Sequence, residues 1–438
     1  MDHKPQENPE PFAMLNRGAD HPSDRWVMLC LAALGLAVAY GGIGTISVLV
    51  VPLQADFGWP KADISIAYTL MSLGAAAGGL LAGRLADRFP TGPIACAGVV
   101  VIGLGMMLLS IQSSIRVIQA VYLVIGLLGF SCLYSPLLST VSHWFGGKGG
   151  LAMGIVTAGG AVGQAVVPPV LQSLLGDFGW RDAIALFGAA YVALFAPAML
   201  LMRKPRTTGL PASSPDAAPA DRAMSGHPVL GIGLLSAAGL FCCALMGMPT
   251  VHLMSFAAGQ GLEPLAAAAI VSTAMLVACA GRVVTGLVVD HIGSLQAYAL
   301  VSAVQTAAVL AFAGARDEAS LHLIAAIYGF GFGGVMTALV CAVRDAVPAN
   351  RLGTAMAMVG LLAWIGMAAG GYQGGLCFDL TGSYDLSFAI AGASGVANLL
   401  VIGVLCLLAR GVTLAPARSY PTLARARSRR VPNRRAVR

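Results

Sequence analysis

Along most of the chain, apolar residues run on without alternation for about twenty positions before a short polar break. Runs of that length match the roughly 30 Å hydrocarbon core of a bilayer at helical rise, whereas an outer-membrane barrel would show shorter segments of alternating polarity. The pattern predicts an all-α membrane protein of about twelve spans, near 26–51, 64–84, 93–112, 117–141, 150–174, 181–202, 229–257, 264–289, 294–314, 320–343, 352–377 and 385–409. The only long polar connection, RKPRTTGLPASSPDAAPADRAMSGHP, divides the spans into two groups of six. Its Pro, Ala, Ser and Asp content is that of a linker with too little apolar surface to fold. The expected organisation is a polar tail over 1–25, a six-helix bundle over 26–202, the linker over 203–228, a second six-helix bundle over 229–409 and a basic tail over 410–438.

Composition agrees: 57% of residues are hydrophobic and 10% charged, against about 25% charged in soluble domains. The first 25 residues lack the basic start and short apolar core of a cleaved signal, so the span from Trp26 is expected to remain in the protein. The nine cysteines all fall in apolar runs with no Cys-x-x-Cys and no histidine cluster, and read as small apolar packers rather than disulfides or zinc ligands.

Charge sets the orientation. Of the 26 Lys and Arg, 21 lie in the two tails and the even-numbered connections. Four, Lys61, Arg116, Arg181 and Arg316, lie on the opposite side. By the positive-inside rule both termini face the cytoplasm, across a cell inner (plasma) membrane. The tail ending ARARSRRVPNRRAVR is either a solvated topology anchor or a segment attracted to anionic inner-leaflet lipid, and a basic run of this kind also fits nucleic-acid affinity.

The remaining cation is Arg282, alone inside the run from Ala268 to Gly293. The run closes at Asp290, so the arginine sits roughly 12 Å above the helix end, close to the midplane. A guanidinium there costs between about 2.5 and 17 kcal/mol, according to how it is measured, and snorkelling recovers only part of that. None of the 19 acidic residues falls deep in a span, leaving a ligand carboxylate as the expected counterion; an ion pair within the bundle is the alternative. A planar fork of donors suits a carboxylate bidentately.

The halves repeat each other at an offset of 203 residues. Gly83-Arg84-Leu85-Ala86-Asp87-Arg88 recurs as Gly286-Leu287-Val288-Val289-Asp290-His291, and Ala152-Met153 as Ala355-Met356; Gly179-Trp180-Arg181-Asp182 has a weaker echo in Ser383-Tyr384-Asp385. Parallel repeats of this kind place a substrate site between the halves near the midplane.

These residues resemble the major facilitator superfamily, of which the Gly-x-x-x-Asp-Arg loop between spans two and three is a familiar mark. More narrowly, the chain resembles the monocarboxylate transporter and oxalate/formate antiporter branch. That likeness rests on Phe57-Gly58-Trp59-Pro60-Lys61-Ala62-Asp63-Ile64-Ser65, Trp144-Phe145 followed by Gly150-Leu151-Ala152-Met153-Gly154, Gly281-Arg282, and Phe378-Asp379-Leu380-Thr381-Gly382-Ser383-Tyr384. It implies two pseudo-symmetric six-helix bundles and a helix-eight arginine, here Arg282, that binds the substrate carboxylate. Animal-type members place an aspartate four residues before that arginine; Ala278 stands there instead, against a carboxylate proton relay at this helix.

The resemblance adds His252 as a position near the substrate path whose imidazole titrates usefully, with an interfacial histidine as the alternative. It adds Tyr134 and Tyr328 as pocket tyrosines, with packing as the alternative. Gln373 falls where oxalate-type relatives carry a lysine, and its neutrality argues against a doubly charged substrate. Tyr40 and Tyr372 carry no assigned role. Gly83, Asp87, Arg88, Gly286 and Asp290 are expected to gate rather than bind, although the loop's later glycine and basic residues are replaced by Pro90, Thr91 and Gly92. Glycines spaced four apart, Gly74/Gly78, Gly79/Gly83, Gly159/Gly163, Gly366/Gly370 and Gly370/Gly374, are expected to let helices slide where the halves meet.

Gly329-x-Gly331-x-x-Gly334 mimics a dinucleotide fingerprint but has no preceding strand, and no hydrolase or Walker motif appears. The expectation is a non-enzymatic secondary transporter without cofactor or metal, a symporter or antiporter working by alternating access. It would act as a monomer with no nucleic-acid partner, moving a small organic anion, a monocarboxylate, with a proton or counter-anion. An exporter of larger neutral or amphipathic compounds and a non-transporting anion sensor are the alternatives.

Overall fold

The computed structural model describes residues 23–145, 150–205, 228–347 and 352–414. The N-terminal tail up to residue 22, most of the linker and the basic tail from residue 415 lie outside the described residues.

All regular secondary structure among the described residues is helical. In the first half, α1 is Asp24–Phe57, α2 Lys61–Arg88, α3 Thr91–Ser110 and α4 Ile115–Phe145. Helices α5 (150–178) and α6 (180–200) form one helical run broken at Gly179, whose φ of 76° and ψ of 164° require a residue without a Cβ. In the second half, α7 is Pro228–Gly259, α8 Pro264–Ile292, α9 Ser294–Phe312, α10 Glu318–Ala346, α11 Leu352–Thr381 and α12 Asp385–Leu414. Eleven apolar runs among the described residues are long enough to cross a membrane, and the run from Ala152 to Leu200, broken at Gly179, provides two of the twelve passes.

Short breaks have local causes. Gly58 ends α1 in the left-handed region with its N–H on the Gln54 carbonyl, and Pro60 then fixes the start of α2. Helix α4 carries a π-helical stretch over Ile125–Phe130, an extra residue per turn just where its aromatic side chains face the other half.

Close packing within each half relies on glycine. A Cβ on Gly159 or Gly163 would strike the Ala33 or Ala37 carbonyl of α1, and one on Gly366 or Gly370 the Leu240 or Ala244 carbonyl of α7. Gly74 and Gly78 lie against α4. The expected placement of the glycine pairs at the seam between halves is therefore corrected: these seat helices inside one half, and Gly79 and Gly83 have no atom closer than 3.9 Å to a Cβ. The glycines that open the seam are Gly371, against the Tyr68 ring, and Gly375, against the Lys61 carbonyl.

Between the halves, α2 packs against α11, α5 against α8 and α1 against α7. Contacts concentrate at the end carrying the α1–α2 and α11–α12 connections. There the Lys61 and Ala62 amides meet Asp379, Ser65 meets His252, and Thr69 Oγ1 donates to the Ala368 carbonyl at 3.1 Å. Between α5 and α8, Ser272 Oγ donates to the Ala165 carbonyl at 2.6 Å. Past Arg282, toward the end carrying Gly83 and Gly286, no hydrogen bond or ion pair among the described residues crosses the seam. A Cβ added at Gly83, Gly154, Gly286 or Gly353 would meet open space. The fold is closed at one end and open at the other.

At the start of the linker the described residues include Arg203 and Lys204, and both are docked. Arg203 pairs with Asp24 at 2.6 Å, the Trp144 indole donates to the Arg203 carbonyl at 2.8 Å, and the Lys204 ammonium bonds the Ala86 carbonyl.

Candidate functional site

Helix α8 brings Arg282 to the seam halfway down the bundle. Gly281 allows that helix to lie on the α10 backbone at Phe330, which sets the adjoining Arg282 toward the first half. The guanidinium is half-buried, and one terminal nitrogen donates to the Thr157 carbonyl of α5. Its Nε is buried with no hydrogen-bond partner, and among the described residues no carboxylate pairs with it. A half-buried cation with a buried donor to spare is the electrostatic opposite of a carboxylate.

Opposite the arginine stand aromatic side chains of the first half. Tyr40 of α1 and Tyr134 of α4 lie within electrostatic reach of the guanidinium, their rings edge to face at 6.2 Å. Phe130 stacks on Tyr134 at 5.4 Å and meets Tyr40 at 5.1 Å. From the second half, Trp364 of α11 closes on Phe130 edge to face at 5.2 Å. The arrangement joins one cation and two phenols to an apolar ring wall, which can hold a carboxylate at one side and an apolar body at the other.

Of the sequence-predicted binding residues, Arg282 and Tyr134 are brought together. The others are placed elsewhere. Tyr328 is fully buried in the second half, its hydroxyl donating to the Met246 carbonyl at 3.4 Å beside the Phe312 ring. Gln373 is half-buried between α11 and α12, its amide donating to the Ser387 carbonyl at 3.3 Å. His252 is fully buried at the closed end. Its Nε2 lies 2.9 Å from the Gly371 carbonyl and 3.2 Å from Ser65 Oγ, and its Nδ1 3.3 Å from the Tyr384 hydroxyl. Ser65 Oγ already donates to the Lys61 carbonyl at 2.7 Å, so the neutral Nε2–H tautomer fits, its single proton directed at the Gly371 carbonyl and shared with Ser65 Oγ.

At the open end, Arg88 and Asp290 are exposed, and Asp290 pairs with no cation among the described residues. The Asp87 side chain lies outside the described residues. Sequence reasoning passed over Tyr40, Phe130 and Trp364; the one available signal was their placement near the middle of spans one, four and eleven.

Comparison with known proteins adds the following. The family model described as Major Facilitator Superfamily matches residues 32–371. Monocarboxylate transporter 13 of Rattus norvegicus is 27% identical over 380 residues, covering 84% of this chain and 86% of that protein. Monocarboxylate transporter 2 of Homo sapiens is 26% identical over 401 residues, covering 85% and 83%. Among solved structures, a peptide transporter POT in complex with alafosfalin superposes with a TM-score of 0.68 at 16% identity over 89% of this chain and 96% of that one. The nucleoside transporter NupG gives 0.67 at 14% identity over 88% and 99%. At those identities the structural likeness speaks to the fold.

Proposed function

The chain belongs to the Major Facilitator Superfamily, in which it is similar to monocarboxylate transporters, and from that premise we propose that this membrane transporter carries a small organic anion, a monocarboxylate, by alternating access. The carrying observation is Arg282: a midplane guanidinium with a buried, unpartnered Nε and no carboxylate paired to it among the described residues. A ligand carboxylate supplies the missing charge, and both groups lose less when desolvated together than apart. The Phe130–Tyr134–Trp364 wall favours one carboxylate on an apolar body over a dianion, which would need a second cation. Transport is coupled to a proton or to a counter-anion, in a plasma membrane with both termini cytoplasmic, the orientation its basic residues favour.

Counterflow in proteoliposomes tests the reading. Protein preloaded with an unlabelled short monocarboxylate is expected to accumulate the labelled acid transiently. Binding without counterflow identifies a sensor, and counterflow of neutral amphiphiles but not of acids identifies an exporter of another class.

A further inference from the structure

The first N–H groups of a helix have no partner inside it. Helix α2 starts directly after Pro60, and its first two amides both donate to one side chain of the other half: Lys61 N to Asp379 Oδ1 at 3.0 Å and Ala62 N to Asp379 Oδ2 at 2.7 Å. The carboxylate thus gains two charge-assisted hydrogen bonds and the positive end of the helix dipole. Gly375, one turn before Asp379 on α11, permits the approach: a Cβ there would lie 2.7 Å from the Lys61 carbonyl oxygen and 2.8 Å from the Ala62 nitrogen.

The Lys61 ammonium takes no part in these two hydrogen bonds and meets the other half separately, over aromatic rings. It lies 3.4 Å from the Phe378 ring centroid and 4.8 Å from that of Tyr384, and forms no ion pair with Asp379 among the described residues. The Asp379 contact runs through the backbone of α2, not through the charge of its first residue.

The internal repeat sharpens this. At the 203-residue offset, Pro264 stands where Lys61 does, as the first residue of α8. Proline has no N–H to give. Asp177, next to the position matching Asp379, makes no hydrogen bond or ion pair among the described residues, and a Cβ added at Gly176 would meet open space. The device is present in one copy only.

We infer that the Asp379 carboxylate on the Lys61 and Ala62 amides is the latch that holds the α1–α2 end shut, and that it must release α2 for the halves to rock the other way. The amide at position 61 is essential to it and the side chain is not. Its role in transport rests on the alternating-access reading, but the latch is measured without substrate, so its failure and that of the Arg282 site are distinguishable.

Hydrogen–deuterium exchange on the purified full chain, read in peptides covering the start of α2, tests the inference. Asp379→Asn removes the charge and one acceptor, and exchange of amides 62–64 is expected to quicken at least about threefold. Lys61→Pro, a residue suited to the first helical position, deletes one latch amide while keeping Asp379, and is expected to do the same. Lys61→Met retains both amides and is expected to match the wild type. Peptides from α9 report folding in each variant, and where Asp379→Asn loses protection there too, Lys61→Pro carries the test. Unchanged exchange in the folded Asp379→Asn or Lys61→Pro protein overturns the latch. So does Lys61→Met matching Asp379→Asn, which would give the hold on this end to the Lys61 side chain and not to the amides.

Discussion

Arg282 and His252 are both polar groups sunk in apolar helices, yet the surroundings of each define opposite tasks. The arginine keeps a donor unspent beside phenols and rings; the histidine has both nitrogens engaged by Ser65, Gly371 and Tyr384. Arg282→Lys keeps the charge and loses the fork, so uptake by inserted protein is expected to fall at least about tenfold; equal uptake would remove the residue from the site. His252→Gln leaves buried hydrogen-bonding groups unmatched, at about 1–3 kcal/mol. A melting point lower by several degrees is expected, with the pH profile of uptake keeping its shape. A displaced profile would give the proton to the imidazole. Arg282 was legible in the sequence because a charge in an apolar run has no ordinary excuse. Tyr40, Phe130 and Trp364 were not, because lipid-facing and cavity-facing positions of a membrane helix are equally apolar and periodicity does not separate them.

The helices were readable from run length, and the breaks from Gly and Pro. What the sequence left open was which neighbour each glycine touches. Spacing of four marks a flat helix face but does not say whether the facing backbone belongs to the same half, and the pairs expected at the seam turned out to seat α5 on α1 and α11 on α7. Gly163→Val would drive a branched side chain into the Ala37 backbone of α1, which cannot yield as a side-chain end would. A cost of about 1–3 kcal/mol is expected for overpacking of this kind, seen as a lower melting temperature; Gly233→Val on α7, where nothing lies within 4 Å, is expected to melt as the wild type does. The repeat is likewise reworked locally. Trp180 bonds Asp56 at 2.6 Å and Arg181 holds the α3–α4 turn through the Ser110 and Gln112 carbonyls, whereas their echo at Tyr384 bonds His252 instead. One half uses this corner to brace itself, the other to support the seam.

For the whole molecule, the closed end is crossed by hydrogen bonds and the end with Gly83 and Gly286 by none among the described residues. If the termini are cytoplasmic, this is an inward-facing state. A membrane-impermeant thiol reagent applied to inside-out vesicles is expected to modify a cysteine introduced at Gly286 far faster than one at Thr69, in a background without the native cysteines. The reverse order would mean that the resting carrier opens the other way.

The docking of Arg203 and Lys204 onto α1, α2 and α4 fixes where the covalent join between the halves begins. From that anchor, residues 206–227 can reach roughly 70 Å when extended, far beyond any displacement that rocking demands. A join of that contour length need not act as a hinge. Lengthening it with glycine and serine should leave turnover untouched, and two separately expressed bundles should still assemble into a working carrier, since what registers one half on the other is the buried seam and not the thread between them.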